Sequence, residues 1–195
     1  YMYIDMTYIV LVLPAVIFAL LASANVNRTF KKYSGQYSQK NMTGADAART
    51  VLQANGVYDV KVEQISGQLT DHYDPKTRTI RLSENVYANS STAAIGVAAH
   101  EAGHALQHAT DYAPLRIRNA IVPITNIGSR LSMPLIVLGL IFSQTAPFFV
   151  TIAYIGVACF GLCTLFQLVT LPTEFNASRR ALQAIEKSRI LNDTE

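Results

Sequence analysis

The chain has 195 residues, of which half are hydrophobic and only 15% are charged, and its mean hydropathy is +0.22. A soluble domain usually carries about 25% charged residues, so this deficit indicates a membrane protein with one domain or a small two-part architecture. The apolar content excludes an intrinsically disordered chain. The net charge is only +3 and no basic run is interleaved with aromatic residues, so no nucleic-acid partner is predicted.

The first candidate membrane span covers residues 7–24, a stretch of 18 residues without a charge. This length is near the lower limit for an α-helix that crosses about 30 Å of hydrocarbon. A secretory signal peptide is the alternative, because Ala22–Ala24 resembles a cleavage site. A signal peptide carries positive charge before its apolar core, however. Here Asp5 is the one charge before the core, and the basic residues follow it, at Arg28, Lys31 and Lys32. The pattern favours a retained transmembrane helix.

A polar segment, residues 25–118, follows the first span and predicts a small α+β unit. Thr43 is a residue that can cap a first helix. Residues 57–65 then alternate in the manner of a β-strand, and residues 79–82 alternate again after a turn. We therefore expect a small sheet of two or three strands. A second helix is predicted over residues 91–110.

The second helix carries the sequence His100-Glu101-Ala102-Gly103-His104, an HExxH motif. Four residues turn an α-helix through about 400°, so both imidazoles lie on one face, one turn apart, and can bind a single Zn²⁺. Glu101 lies on a neighbouring face, where it can take a proton from a water that the zinc activates and pass it to a leaving amine. The alternative is an ordinary helix with surface histidines. The small residues that flank the motif argue against this alternative.

Two further apolar stretches follow, at residues 121–142 and 147–171. The second has 25 residues without a charge, and the first is interrupted by Arg130, which must snorkel or face protein or water. The residues at 143–147 indicate a tight turn between antiparallel helices. A buried helical hairpin in a soluble protein is the alternative, but three such helices are a large apolar share for this chain. We therefore predict three transmembrane helices.

The distribution of basic residues predicts the topology. Eleven of the 16 Lys and Arg residues lie in residues 25–118, four lie in residues 172–195, and the last is Arg130. By the positive-inside rule, the two basic segments share the cytoplasmic side of the cell membrane. Residues that follow the third span are therefore expected on the same side as the HExxH helix.

A catalytic zinc ion requires a third protein ligand and leaves one position open. A metzincin would place a histidine six residues after His104, but Thr110 occupies that position, and His108 lies too far along a straight helix. Glu174 follows the third span directly, and Pro172 fits the first turn of a cytoplasmic helix there. Glu174 is thus the candidate third ligand of a gluzincin-like site. The alternative is an interfacial acid that lies near basic residues.

Three groups of residues carry a resemblance to a known family. They are residues 98–108, residues 71–75 with 81–83, and residues 171–175 with 177–180. In these motifs the chain resembles the YugP-type neutral zinc metallopeptidases of bacterial membranes, which are more distantly related to HtpX-like and CAAX-prenyl proteases. The resemblance covers nearly the whole chain and implies zinc ligands at His100, His104 and Glu174 and a catalytic role for Glu101.

The same resemblance shows two departures from the usual pattern. HtpX-like relatives usually carry an aspartate four residues after the glutamate ligand, where it supports a histidine, and this chain has Ser178 there. A serine can form a hydrogen bond but adds no charge. YugP-type proteins usually continue into another hydrophobic segment, so a further C-terminal span after Glu195 is an expectation of the resemblance.

The sequence predicts a mainly α-helical membrane protein with about three transmembrane helices and a small cytoplasmic α+β, zincin-like (gluzincin) peptidase part. The predicted function is a Zn²⁺-dependent endopeptidase that cleaves protein or peptide substrates at the cytoplasmic membrane face. The strand at residues 79–82 is a candidate edge for the substrate backbone, and His72 is a weaker candidate for stabilising an oxyanion. Two alternatives stay open: an intramembrane zinc protease, and a non-catalytic membrane scaffold that binds zinc for structure.

Overall fold

The computed structural model describes residues 6–67 and 70–192 of the chain. Within these ranges the helices are α1 (Met6–Ser34), α2 (Gly44–Ala54), α3 (Glu84–Tyr87), α4 (Thr92–Ala109), α5 (Ala113–Ile141) and α6 (Pro147–Lys187). The strands are β1 (Lys61–Ile65), β2 (His72–Asp74) and β3 (Thr79–Ser83). The chain is therefore mainly helical with one small sheet, as the sequence predicts.

The sheet has three strands in the order β1-β3-β2. β2 and β3 form an antiparallel hairpin with Tyr73 opposite Ile80, and β1 pairs parallel to β3 with Val62 opposite Ile80. The expectation of a free edge at residues 79–82 is wrong, because β3 is hydrogen-bonded on both sides. Ile80 and Leu82 of this central strand are fully buried. The edge strand that packs against α4 is β2.

A single apolar core joins the sheet to α2 and α4. α2 begins at a capping box, in which the Thr43 side chain accepts a hydrogen bond from the Asp46 N–H and the Asp46 carboxylate accepts one from the Thr43 N–H. α4 begins after Ser91, whose hydroxyl accepts a hydrogen bond from the Ala94 N–H. The buried face of α4 is rich in alanine, which lets neighbouring helices approach closely.

α5 and α6 form a long antiparallel hairpin that turns at residues 142–146. Glycines line the interface between these two helices. A Cβ added at Gly139 would lie 2.5 Å from the backbone nitrogen of Ala153, and one added at Gly128 would lie 2.8 Å from Sγ of Cys163. The glycines therefore permit a close approach of the helices, as small residues do in membrane helix pairs.

Within the described part of the chain, α1, α5 and α6 are the helices long and apolar enough to cross a membrane. Their outer faces carry exposed large apolar side chains, such as Phe18 at 75% and Tyr154 at 70%. Contiguous apolar surface of this kind is unfavourable in water. The surface of these helices is therefore suited to a lipid environment.

α6 is one continuous helix of 41 residues, which includes both the third apolar stretch and Glu174. Pro172 lies inside this helix and does not begin a separate one, in contrast to the sequence-based expectation. Helices in membrane proteins tolerate an internal proline where neighbouring groups satisfy the freed carbonyl. Because α6 is continuous, its packing against α5 also determines where Glu174 lies.

Candidate metal centre

Three side chains with metal-binding atoms converge between α4 and α6. His100 and His104 lie one turn apart on α4, and Glu174 lies on α6. The Oε2 atom of Glu174 is 3.3 Å from Nε2 of His100 and 3.3 Å from Nε2 of His104. All three potential ligand atoms lie within 4.8 Å of one another. The structure therefore brings together the three residues that the sequence analysis named as candidate ligands.

This donor set fits a zinc ion. Zinc bonds of about 2.0–2.1 Å place the ligand atoms of a tetrahedral site about 3.3 Å apart. That is the separation between the Glu174 oxygen and each histidine nitrogen. Two imidazoles and one carboxylate also leave the open fourth position that catalytic zinc sites require. Within residues 6–67 and 70–192, no further His, Cys, Asp or Glu joins this group.

A buried glutamine connects His104 to the helix that carries Glu174. Nδ1 of His104 lies 3.0 Å from Oε1 of Gln107, so a proton on Nδ1 donates to the amide and Nε2 stays available for a metal. Nε2 of Gln107 donates to the Thr173 carbonyl oxygen at 2.8 Å and to Oδ1 of Asn176 at 3.0 Å. Gln107 is fully buried. The sequence analysis missed this residue, although its spacing of three from His104 on one helix is a signal for contact.

The other motif histidine has a more exposed partner on α6. Nδ1 of His100 lies 3.1 Å from Oγ of Ser178. The contact is possible because α4 and α6 approach closely at Gly103, where an added Cβ would lie 2.4 Å from the Ala177 carbonyl oxygen. Ser178 therefore contacts His100 at the position where HtpX-like relatives carry an aspartate.

Glu101 lines the same cavity of about 150 Å³ as the three candidate ligands. Burial raises the pKa of the Glu101 carboxyl group, against a smaller lowering by the two histidines, and the nearby charge of Asp71 raises it further. The backbone N–H of Tyr73 in β2 lowers this pKa slightly. A buried carboxylate with increased proton affinity is suited to exchange a proton with a bound water.

Arg118, near the start of α5, contacts the second oxygen of Glu174. Its Nε lies 2.8 Å from Oε1 of Glu174, while Oε2 of the same carboxylate faces the two histidines. The hydrogen bond with Glu174 also raises the pKa of His100, against the lowering effect of burial. The sequence analysis did not single out Arg118, because no local pattern pairs residues on separate helices.

Two other histidines lie near the cavity without joining the ligand group. Nδ1 of His108 lies 2.7 Å from the Tyr73 hydroxyl, and this contact connects α4 to β2. Burial, with a contribution from Asp74, raises the pKa of Tyr73 to about 12, so the phenol that contacts His108 keeps its proton. His72 lines the cavity but is exposed, and its Nδ1 lies 2.8 Å from the Thr70 carbonyl oxygen.

Comparison with known proteins gives the family of the chain. The family described as "Putative neutral zinc metallopeptidase" matches residues 8–195. The "Putative membrane protease YugP" of Bacillus subtilis (strain 168) is 41% identical over 190 residues, which cover 97% of this chain and 82% of that protein. No solved structure is a significant match. The resemblance seen in the sequence motifs is confirmed, and the chain belongs to this family of neutral zinc metallopeptidases.

Proposed function

We propose that this protein is a zinc metalloendopeptidase that hydrolyses protein or peptide substrates at the cytoplasmic face of the cell membrane. The observation that carries the proposal is the convergence of His100, His104 and Glu174 in one cavity with Glu101. Membership of a zinc metallopeptidase family supports the cofactor and the class of reaction.

The residues of the site have separable roles in this proposal. Zinc, when held by the two histidines and Glu174, supplies a Lewis acid that acidifies water and polarises a carbonyl group. Glu101 removes a proton from the attacking water and then delivers it to the leaving amine. Its raised pKa favours retention of the proton between the two transfers.

We place the substrate backbone along β2. This strand is the edge of the sheet that packs against α4, and His72 and Tyr73 line the same cavity as the candidate ligands. An extended peptide can add to a sheet edge through main-chain hydrogen bonds, while pockets for its side chains determine specificity. Such a peptide would pass directly over the cavity that contains Glu101.

The membrane placement rests on the three apolar helices and on the charges between them. The basic segments before and after the α5–α6 hairpin support a cytoplasmic location for both the HExxH helix and Glu174. The relative from Bacillus subtilis is itself named a membrane protease. A cysteine introduced at Ala109, which is exposed at the end of α4, tests this topology. It should react with an impermeant thiol reagent only after the cells are opened.

The two alternatives are less consistent with the geometry. An intramembrane protease would place α4 in the bilayer, but α4 packs into the core formed with α2 and the sheet. A structural zinc site normally has four protein ligands. The described residues supply three. The catalytic interpretation is therefore preferred over the scaffold.

The decisive experiment compares zinc content and peptide hydrolysis of the purified wild type, Glu101→Gln and Glu174→Ala. We expect Glu101→Gln to retain zinc and to lose hydrolysis by about 10²–10⁴-fold, the usual contribution of general acid–base catalysis. Glu174→Ala should lose zinc, whereas Glu186→Ala, an exposed acid on the same helix, should retain both properties. Full zinc content in Glu174→Ala would refute the ligand assignment. Wild-type hydrolysis that persists in Glu101→Gln would refute the mechanism.

A further inference from the structure

The candidate metal centre lies close to the ends of two proposed membrane spans. Arg118 lies about one helical turn before the span at residues 121–142, and Glu174 lies about one turn after the span at residues 147–171. Both positions are therefore about 5 Å from the hydrocarbon when measured along their helices.

The length of the α5–α6 hairpin supports the same depth of the metal centre relative to the bilayer. At about 1.5 Å per residue, residues 118–141 cover about 36 Å and residues 147–174 cover about 42 Å. A bilayer has about 30 Å of hydrocarbon and is about 40–45 Å thick with its headgroups. With the turn of the hairpin at the far surface, the metal centre lies among the near headgroups. Ile117 and Phe175, 53% and 67% exposed, present apolar side chains at this level.

The outer side of α5 carries polar residues just before and within the proposed span. Asn119, Asn126 and Arg130 are spaced by seven and four residues, so they lie on one side of the helix, which we call the polar face of α5. Asn126 and Arg130 are exposed. A different side of α5 packs against α6, and it contains the buried Thr125, Ser132 and Gly139.

Arg130 lies near the centre of the bilayer and has no counter-ion within the described part of the chain. It is about 14 Å or more from either end of its span, too deep to reach the headgroups by snorkelling. The three proposed spans contain no Asp or Glu. These three spans therefore supply no carboxylate at that depth, either from the same copy or from a second one. An ionisable residue so placed is a candidate functional site that requires a polar or charged partner.

The polar face of α5 begins at Asn119, which lines the cavity of the metal centre. We propose that the substrate is a membrane-spanning polypeptide whose transmembrane helix docks on the polar face of α5 through an acidic residue near its centre. The scissile bond then lies just outside the hydrocarbon. An extended chain covers about 3.3 Å per residue, so the cut falls within a few residues of the substrate's span. This inference rests on the proposed function and names its substrate class.

The test uses the full chain in zinc-loaded phospholipid nanodiscs with single-span substrates. Each substrate has a polyleucine span with Glu, Lys or Leu at its centre, followed by the same randomised segment of about twelve residues, which reaches well beyond the headgroups. A further substrate has the segment without a span. Cut positions and rates are read by mass spectrometry. We expect the span with Glu to be cut about 3- to 30-fold faster than the other spans, the effect of one interhelical polar contact in a membrane.

Variants on α5 make the test specific. Arg130→Glu should reverse the preference, in favour of the span with Lys, and Asn126→Leu should weaken the preference for Glu. Leu131→Ala is the matched control, because Leu131 is 53% exposed at the same depth but lies off the polar face. Reversal in Arg130→Glu, with an unchanged preference in Leu131→Ala, supports the docking surface. The Asn126→Leu variant decides the question if Arg130→Glu does not insert.

The remaining outcomes contradict the inference or the proposed function separately. Equal rates for the three spans, or an unchanged preference in Arg130→Glu and Asn126→Leu, would overturn the docking surface. Cuts spread along the whole segment, or equal cutting of the segment without a span, would overturn the membrane-proximal site. If zinc is bound and nothing is cut, the proposed function fails. Photo-crosslinking from Met133, beside the polar face, then decides docking, since a crosslink to this chain alone would overturn it.

Discussion

Replacement of Gln107 is the sharpest test of how the site is organised. Gln107→Leu removes the acceptor for Nδ1 of His104 and both contacts to α6, the Thr173 carbonyl and Asn176. Loss of a hydrogen bond that orients a metal-ligating histidine typically costs 10- to 100-fold in affinity, or about 1.4–2.8 kcal/mol. Because Gln107 and His104 are both buried, water cannot take the place of the amide. We therefore expect the zinc affinity to fall by about 10- to 100-fold.

A second substitution separates the two functions of the amide. Gln107→Glu keeps an acceptor for His104, but its other oxygen faces the acceptors Thr173 O and Asn176 Oδ1. This variant should therefore retain more zinc affinity than Gln107→Leu, while the metal-free protein loses about 1–3 kcal/mol of stability from unsatisfied buried groups. The matched control is Gln183→Leu, an exposed glutamine on α6, which should change neither property.

The assay is competition for zinc between the purified protein and a chromophoric chelator, with thermal unfolding of the metal-free protein measured in parallel. The cobalt-substituted protein gives a further readout, because a rotated histidine changes the visible ligand-field spectrum. Zinc affinity of Gln107→Leu within twofold of the wild type, with an unchanged cobalt spectrum, would refute the reasoning that this amide orients His104.

Three further predictions follow from local geometry. Gly103→Ala should destabilise the protein by about 1–3 kcal/mol in thermal unfolding, since its Cβ would overlap the Ala177 carbonyl oxygen, and an unchanged midpoint would contradict the close approach. Ser178→Ala should lower zinc affinity by less than about tenfold, because His100 is partly exposed and water can replace the hydroxyl. A loss of zinc affinity larger than in Gln107→Leu would contradict this reasoning. Thr43→Ala should lower the free energy of unfolding by about 0.5–2 kcal/mol, because it removes the α2 capping box. Thr43→Ser should retain the stability of the wild type.

Much of the local structure could be predicted because it depends on residues close together in sequence. The capping box at Thr43 and the start of α4 after Ser91 follow from side chains that bond to backbone groups three residues away. The spacing of His100 and His104 places them on one helical face wherever α4 lies in the fold. The apolar helices follow from composition over long windows. The assignment of ligand and catalytic roles stays a prediction that the proposed experiments test.

The tertiary structure alone decided which distant groups meet. β3 is the central strand because β1 and β2 pair with it on opposite sides, so the free edge beside α4 belongs to β2. Contacts between separate helices, such as Arg118 with Glu174 and Gln107 with Thr173, have no sequence pattern. They arise from the rotation and close packing of α4, α5 and α6. Sequence therefore determined the chemistry that each helix carries, whereas packing determined which of these groups share one cavity.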